Sequence, residues 1–162
     1  HSIISSRWVR DHEIAPFFKP YLKFKGNADR LQYYEVFAPC LSLIKDVVAP
    51  ANTGAPEGKL HDDVFLIDSY NLITPVDEYS CRYFWFQMRN FEPDSEATTA
   101  ALTEGFISVF EEDIDILAAV QERMHSSKTR MIDINTDVGG KRFRNMLSKL
   151  ISREQALQEA AE

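Results

Sequence analysis

Residues 64–91, VFLIDSYNLITPVDEYSCRYFWFQMRNF, predict two antiparallel strands joined by a short turn. β-branched and aromatic residues, which favour strands, dominate both Val64 to Ile73 and Tyr79 to Phe91. The residues between them, Thr74 to Glu78, are few enough for a hairpin connection, and Pro75 fixes the backbone of the turn. An antiparallel sheet is therefore the expected centre of the fold.

Three further strands are predicted upstream of this hairpin. The segments Ile3 to Val9, Leu31 to Phe37 and Leu41 to Val48 are rich in the same residue types. Residues 49–58, APANTGAPEG, combine Pro, Gly and Asn and are typical of a surface loop within a domain. The first half of the chain thus predicts several short, consecutive strands.

After Phe91 the apolar period changes from two to about 3.6 residues, which indicates helices. Glu92-Pro93-Asp94-Ser95 ends the last strand and provides a cap, so a long helix is expected from about Glu96 to Met124. A second amphipathic helix is expected after Gly139-Gly140. Strands first and helices last predict an α+β domain whose sheet packs one face against the long helix.

Composition narrows the class of protein. The 162 residues suffice for a single domain spanning 1–162, and 18 Lys and Arg against 25 Asp and Glu argue against binding nucleic acid or an anionic membrane. No segment has the apolar length of a membrane span or signal peptide.

Cys40 and Cys81 are far apart, so a reducing, cytoplasmic setting is expected. The start at His1, without methionine, suggests truncation at the N-terminus.

One carboxylate interrupts the apolar stripe of the long helix. At about 100° per residue, Asp113 lies within roughly 40° of Phe106, Val109, Leu117 and Val120. A buried carboxylate is costly unless it is paired, hydrogen-bonded or bound to a metal. A metal ligand or general base is one interpretation, and the alternative is a structural salt bridge to an inward-facing arginine such as Arg82 or Arg89.

Other chemical motifs are weak. His1, His12, His61 and His125 are scattered without ligand spacing, and no Gly-x-Ser-x-Gly elbow or Cys–His pair is present. Gly139-Gly140 lacks the spacing of a nucleotide-binding loop and is better explained as a helix cap. The basic cluster Lys141, Arg142 and Arg144 is either a partner-docking site or a solvated face.

A family resemblance is carried by three stretches in one order. They are Asn71-Leu72-Ile73-Thr74-Pro75 leading into Tyr83-Phe84-Trp85-Phe86-Gln87-Met88-Arg89-Asn90-Phe91, then Phe110-Glu111-Glu112-Asp113, then Asp137-Val138-Gly139-Gly140-Lys141-Arg142-Phe143-Arg144. Together they resemble the C-terminal catalytic region of Rieske non-haem iron oxygenases. The likeness is strongest to the monooxygenase branch with the vanillate O-demethylase and dicamba O-demethylase oxygenase components.

The resemblance implies a helix-grip, Bet v 1-like fold, in which the sheet wraps around the long C-terminal helix. It implies mononuclear Fe(II) held by two histidines and one carboxylate, with Asp113 as that carboxylate. It also implies a [2Fe-2S] cluster in an upstream Rieske domain and NAD(P)H oxidised by a separate reductase. Neither the cluster ligands nor the two iron histidines occur in this sequence, so activity would need an upstream segment.

The resemblance implies O-demethylation or hydroxylation of a benzoate-like aromatic acid with dioxygen, and it implies a homotrimer. Substrate-binding candidates are Asn71, Phe84, Phe86, Arg89 and Glu104, the last two turns before Asp113 and expected on a similar face. Catalytic residues beyond the metal ligand remain unassigned. Asn71 stands where many members have a histidine, and Val76 where they have a glutamate. These two differences affect the hydrogen bonding of the substrate pocket and hence the identity of the substrate.

Two alternatives belong to other functional classes. A helix-grip module that has lost its metal site would bind a hydrophobic small molecule without chemistry. A purely structural subunit would use its aromatic-rich sheet as an assembly interface. Iron bound at Asp113 would favour the oxygenase over both.

Overall fold

The computed structural model describes residues 2–127 and 132–161, and it divides the chain into two compact units. The first unit contains a five-stranded antiparallel sheet and the last helix. Its elements are β1 (Ser2–His12), β2 (Ala28–Phe37), β3 (Leu41–Pro50), β4 (Phe65–Pro75), β5 (Cys81–Arg89) and α2 (Val138–Glu159). The second unit, Glu92–Asp133, contains α1 (Glu96–Ser126).

The five strands are ordered β1-β2-β3-β4-β5, so each strand pairs with its neighbours in sequence. The predicted hairpin is confirmed: β4 and β5 are antiparallel, and the Val76 amide donates to the Ser80 carbonyl at 3.0 Å in the turn. Because side chains alternate across a sheet, the register divides them between two faces. We call the face that carries Asn71 the front face and the face that carries Tyr70 the back face.

An aromatic cluster on the front side of the sheet forms much of the core. Phe65 of β4 stacks on Phe91 with ring centroids 4.6 Å apart, and Phe18 meets Phe65 edge-on at 5.3 Å. Tyr21 packs on Phe91 at 5.3 Å. The loop between β1 and β2 therefore folds over one end of the sheet and buries Phe18 there.

The long helix begins where the sequence predicts. Ser95 is its N-cap, and the Ser95 hydroxyl accepts a hydrogen bond from the Thr98 amide at 3.2 Å. The helix ends at Ser126, two residues beyond the expected Met124. The expectation that α2 follows Gly139-Gly140, with this pair as its cap, is wrong, because α2 begins at Val138 and contains both glycines, and its N-cap is Asp137. The α+β class and its element order are thereby confirmed. A single domain over 1–162, and a sheet wrapped around α1, stay predictions.

Candidate functional site

The register of the sheet separates the predicted pocket residues. Asn71 lies opposite Trp85 and Ile67 lies opposite Arg89, so Asn71 and Arg89 belong to the front face. Phe84 and Phe86 belong to the back face. The expectation that all four shape one pocket is corrected here, because neighbouring residues of β5 point to opposite sides.

On the back face, Phe84 and Phe86 are about half exposed. Phe86 stacks on Tyr70 of the neighbouring strand, with ring centroids 4.7 Å apart and nearly parallel planes. Phe86 thus forms a cross-strand aromatic contact, and both Phe84 and Phe86 lie on the opposite side of the sheet from Asn71.

Asn71 is buried on the front face, with 7% of its surface exposed. Its Oδ1 accepts a hydrogen bond from the Tyr83 hydroxyl at 2.6 Å, and its Nδ2 donates to the Ser42 carbonyl at 3.4 Å. Burial raises the pKa of Tyr83, so its phenol stays protonated and remains a donor. The Asn71 amide is therefore engaged within the sheet.

The front face also carries a partly buried ion pair that the sequence analysis did not identify. Arg30 on β2 donates from Nε to Oδ1 of Asp46 on β3 at 2.8 Å, and its Nη2 lies 2.6 Å from the same oxygen. The Arg30 guanidinium also lies 4.6 Å from the centroid of the Phe18 ring. Burial raises the pKa of Asp46, although the neighbouring Arg30 partly offsets this effect.

Beside this pair lies a cavity of about 550 Å³, within the size range of small-molecule sites. It is formed by front-face side chains of β1, β2 and β3 together with the loop that follows β1. Apolar groups form most of its wall, including Val9, Ile14, Phe18 and Val48. Its polar lining residues are Arg7, His12, Glu13, Arg30 and Gln32.

Arg7 is fixed by one specific contact at this cavity. Its Nε donates to the Oε1 of Gln32, directly opposite on β2, at 2.6 Å. A cavity with an apolar wall and a cationic group can bind a molecule that combines a ring with an anionic substituent. This arrangement is the candidate substrate site of the first unit.

In the second unit, α1 places Asp113 in the middle of a continuous helix. The apolar stripe expected beside it exists, but Val109, Leu117 and Val120 are about half exposed or more. Asp113 is exposed as well, so the structure does not show the burial that the sequence analysis expected. Asp113 is exposed because the apolar side chains around it on the helix are exposed too.

The expected position of Glu104 is wrong. It precedes Asp113 by nine residues of uninterrupted α-helix, which turn through about 900°, so the two side chains project from opposite sides of α1. Glu104 is exposed. Glu104 and Asp113 therefore do not share a surface of α1.

Metal-ligating side chains are not clustered in the part of the chain that the structure describes. Within residues 2–127 and 132–161, no group of three His, Cys, Asp or Glu side chains could hold a metal ion. Asp113 can supply one ligand, but the described residues do not supply a facial triad. An ion pair of Asp113 with Arg82 or Arg89 stays the alternative prediction. His1 lies outside the described residues.

Arg7, Arg30 and Asp46 were not predicted, because the motifs that carry the family resemblance begin only at Asn71. The sequences of β1, β2 and β3 do not single out these residues, because each strand carries another charged side chain, such as Arg10, Glu35 or Lys45. Strand register is required to see that all three share the front face.

Comparison with known proteins places the chain in a family. The family described as vanillate O-demethylase oxygenase C-terminal domain matches residues 1–153. No solved structure matches the chain. Among the residues that the structure describes, neither long helix has the apolar stretch needed to cross a membrane.

Individual relatives agree with this family. The toluene-4-sulfonate monooxygenase system iron-sulfur subunit TsaM1 of Comamonas testosteroni is 32% identical over 92% of the chain and 43% of its own length. The vanillate O-demethylase oxygenase subunit of Pseudomonas sp. (strain HR199 / DSM 7063) is 29% identical over 99% of the chain and 47% of its own length. The chain thus spans less than half the length of these curated relatives. It belongs to the vanillate O-demethylase oxygenase C-terminal domain family.

Proposed function

We propose that the chain is the C-terminal part of the catalytic domain of a Rieske-type aromatic-acid monooxygenase. The observation that carries this proposal is the family match over residues 1–153. The relatives support it, because one is named as the iron-sulfur subunit of a toluene-4-sulfonate monooxygenase system and another as the oxygenase subunit of vanillate O-demethylase. Both compounds are aromatic rings with an anionic group, the class of ligand that suits the cavity beside Arg7.

In this proposal, Asp113 is the carboxylate ligand of a mononuclear Fe(II). The support is its position after Phe110-Glu111-Glu112, the motif that carries the family resemblance, on a helix that the structure confirms. The iron would supply dioxygen activation. No group of three potential ligand side chains is clustered among residues 2–127 and 132–161, so in this proposal the two iron histidines belong to another part of the protein.

The chain's own contribution is substrate binding on the front face. Val9, Ile14 and Val48 offer an apolar surface for the ring, and Asn71 and Arg89 form a second, more distant part of the same face. The hydrogen bonds of Asn71 to Tyr83 and Ser42 fix that part of the sheet rather than leave its amide open to a ligand. Its role is thus to hold β3, β4 and β5 together in this more distant part of the front face.

The proposed partners follow from the names of the relatives, which describe multi-component systems with an iron-sulfur subunit. Electrons would pass from NAD(P)H through a separate reductase to a [2Fe-2S] cluster and then to the iron. We propose a homotrimer in the cytoplasm, in keeping with the family and with the two cysteines, which are both free.

A single-turnover assay tests this function. The full-length protein is reduced chemically, mixed with dioxygen and either vanillate or 4-toluenesulfonate, and analysed for oxidised product by mass spectrometry. The proposal predicts product that depends on the reduced protein and on the aromatic acid. Binding of hydrophobic molecules without product, and without any effect of iron, would instead support a non-catalytic ligand-binding module.

A further inference from the structure

The charged groups at the front-face cavity are mostly neutralised by partners within the same unit. Arg30 is paired with Asp46 through two nitrogen atoms, and Glu13 is paired with Lys19 at 3.2 Å. Arg7 differs from both. It forms no ion pair with any residue among 2–127 and 132–161, and its one hydrogen bond is to the neutral Gln32 amide.

The contact with Gln32 leaves the two terminal nitrogens of the Arg7 guanidinium available for a ligand. Only Nε is engaged, so the two terminal nitrogens can donate in parallel to two oxygens of one carboxylate or sulfonate. The Gln32 amide meanwhile holds the side chain at the cavity. An anchored, uncompensated guanidinium beside an apolar wall is the arrangement expected for recognition of an amphipathic anion.

We propose that Arg7 binds the anionic group of the substrate, with the aromatic ring against Val9, Ile14 and Val48. This inference rests on the proposed function, which supplies the aromatic acid as substrate. It assigns to β1 a specificity role: Arg7 selects for a carboxylate or sulfonate over a neutral substituent of similar shape. Arg7 is a binding residue in this account and takes no part in bond-making.

Calorimetric titration of the full-length protein with 4-toluenesulfonate and with the neutral 4-toluenesulfonamide tests the assignment. We expect Arg7→Gln to weaken sulfonate binding by about 10- to 100-fold, the range for a charge-assisted hydrogen bond, and to leave sulfonamide binding unchanged. Arg7→Lys keeps the positive charge, so its loss of sulfonate affinity should be smaller than that of Arg7→Gln. The matched control is Arg10→Gln, because Arg10 also lies on β1 but is paired with Glu57 and does not line the cavity.

The outcomes separate the two proposals. Equal sulfonate affinity of wild type and Arg7→Gln would overturn the role of Arg7 and leave the proposed function standing. Equal weakening by Arg7→Gln and Arg10→Gln would also overturn it, because it would indicate a general effect of surface charge. Failure of the wild-type protein to bind either 4-toluenesulfonate or benzoate would contradict both the Arg7 assignment and the aromatic-acid function.

Discussion

At the scale of single residues, the ion-paired Asp46 carboxyl makes the free energy of unfolding decrease as the pH rises. Burial raises the pKa of Asp46 above its ordinary value of 3.8, with Arg30 opposing the change. The folded chain therefore holds this proton more tightly than the unfolded chain. The stabilisation that Asp46 contributes is present below pH 3.8 and is lost as the pH rises through the folded-state pKa.

Replacing Asp46 with Asn removes this titration. Across the pH window that starts at 3.8, the unfolding free energy of the wild type should fall relative to that of Asp46→Asn. Urea denaturation between about pH 3.5 and pH 6.5 measures the difference. A difference that stays constant or grows with pH would show that Arg30, rather than burial, dominates the titration of Asp46.

The pKa of Glu35 is shifted in the opposite direction from that of Asp46. A hydrogen bond from the Tyr33 hydroxyl, at 2.6 Å, lowers the pKa of this carboxyl below 4.5. The resulting stabilisation is present above pH 4.5 and is lost as the pH falls through the folded-state pKa. The unfolding free energy of the wild type relative to Glu35→Gln should therefore increase with pH, and the same titrations check this.

The buried Asn71 gives a second test at this scale. Tyr83→Phe removes the hydroxyl that donates to Asn71 Oδ1, which leaves a buried acceptor without this donor and should cost about 1–2 kcal/mol of stability. Tyr34→Phe is the matched control, because Tyr34 is 41% exposed on the same face. Urea denaturation compares them, and equal stability of the two variants would contradict the assigned hydrogen bond.

At the scale of secondary structure, most elements could be predicted from the sequence. The change of apolar period after Phe91 and the cap at Ser95 are local signals, so the start of α1 is predicted correctly. Alternation along β5 also indicates that Phe84 and Phe86 share a side. Whether these two rings lie on the same face of the sheet as Asn71 could not be predicted, because that depends on the register between β4 and β5.

The N-cap of α1 is itself testable. Ser95→Ala removes the acceptor for the Thr98 amide and should destabilise the helix by about 1 kcal/mol. Ser108→Ala is the control, because Ser108 is exposed in the interior of the same helix and Ala favours helix there. Circular dichroism during thermal unfolding follows both variants. A helix that melts identically in both would rule out a capping role for Ser95.

At the scale of the whole molecule, the candidate site could be predicted only in part. The family of the chain is predicted correctly by motifs that the match over residues 1–153 supports, whereas Asp113 as a metal ligand stays a prediction. The Arg7 cavity could not be predicted, because it forms from three strands and a loop that are distant in sequence. Such a site becomes visible only when the register of the strands is known.

The basic cluster on α2 remains outside this account of the site. Arg142 lines a shallow groove between α2 and Ile3 of β1, together with Lys149 and Arg153. Partner docking at Lys141, Arg142 and Arg144 stays a prediction, with a solvated face as the alternative. The Arg7 cavity involves none of these α2 residues, so variants there leave the basic groove unchanged.

The iron content of the full-length protein tests the central claim most directly. Elemental analysis, combined with absorbance of the [2Fe-2S] cluster, distinguishes mononuclear iron from cluster iron. We predict that Asp113→Ala loses the mononuclear iron and retains the cluster, while Asp115→Ala, which alters an exposed carboxylate on another side of α1, retains both. Retention of mononuclear iron by Asp113→Ala at the level of Asp115→Ala would contradict the assignment of Asp113 as its ligand.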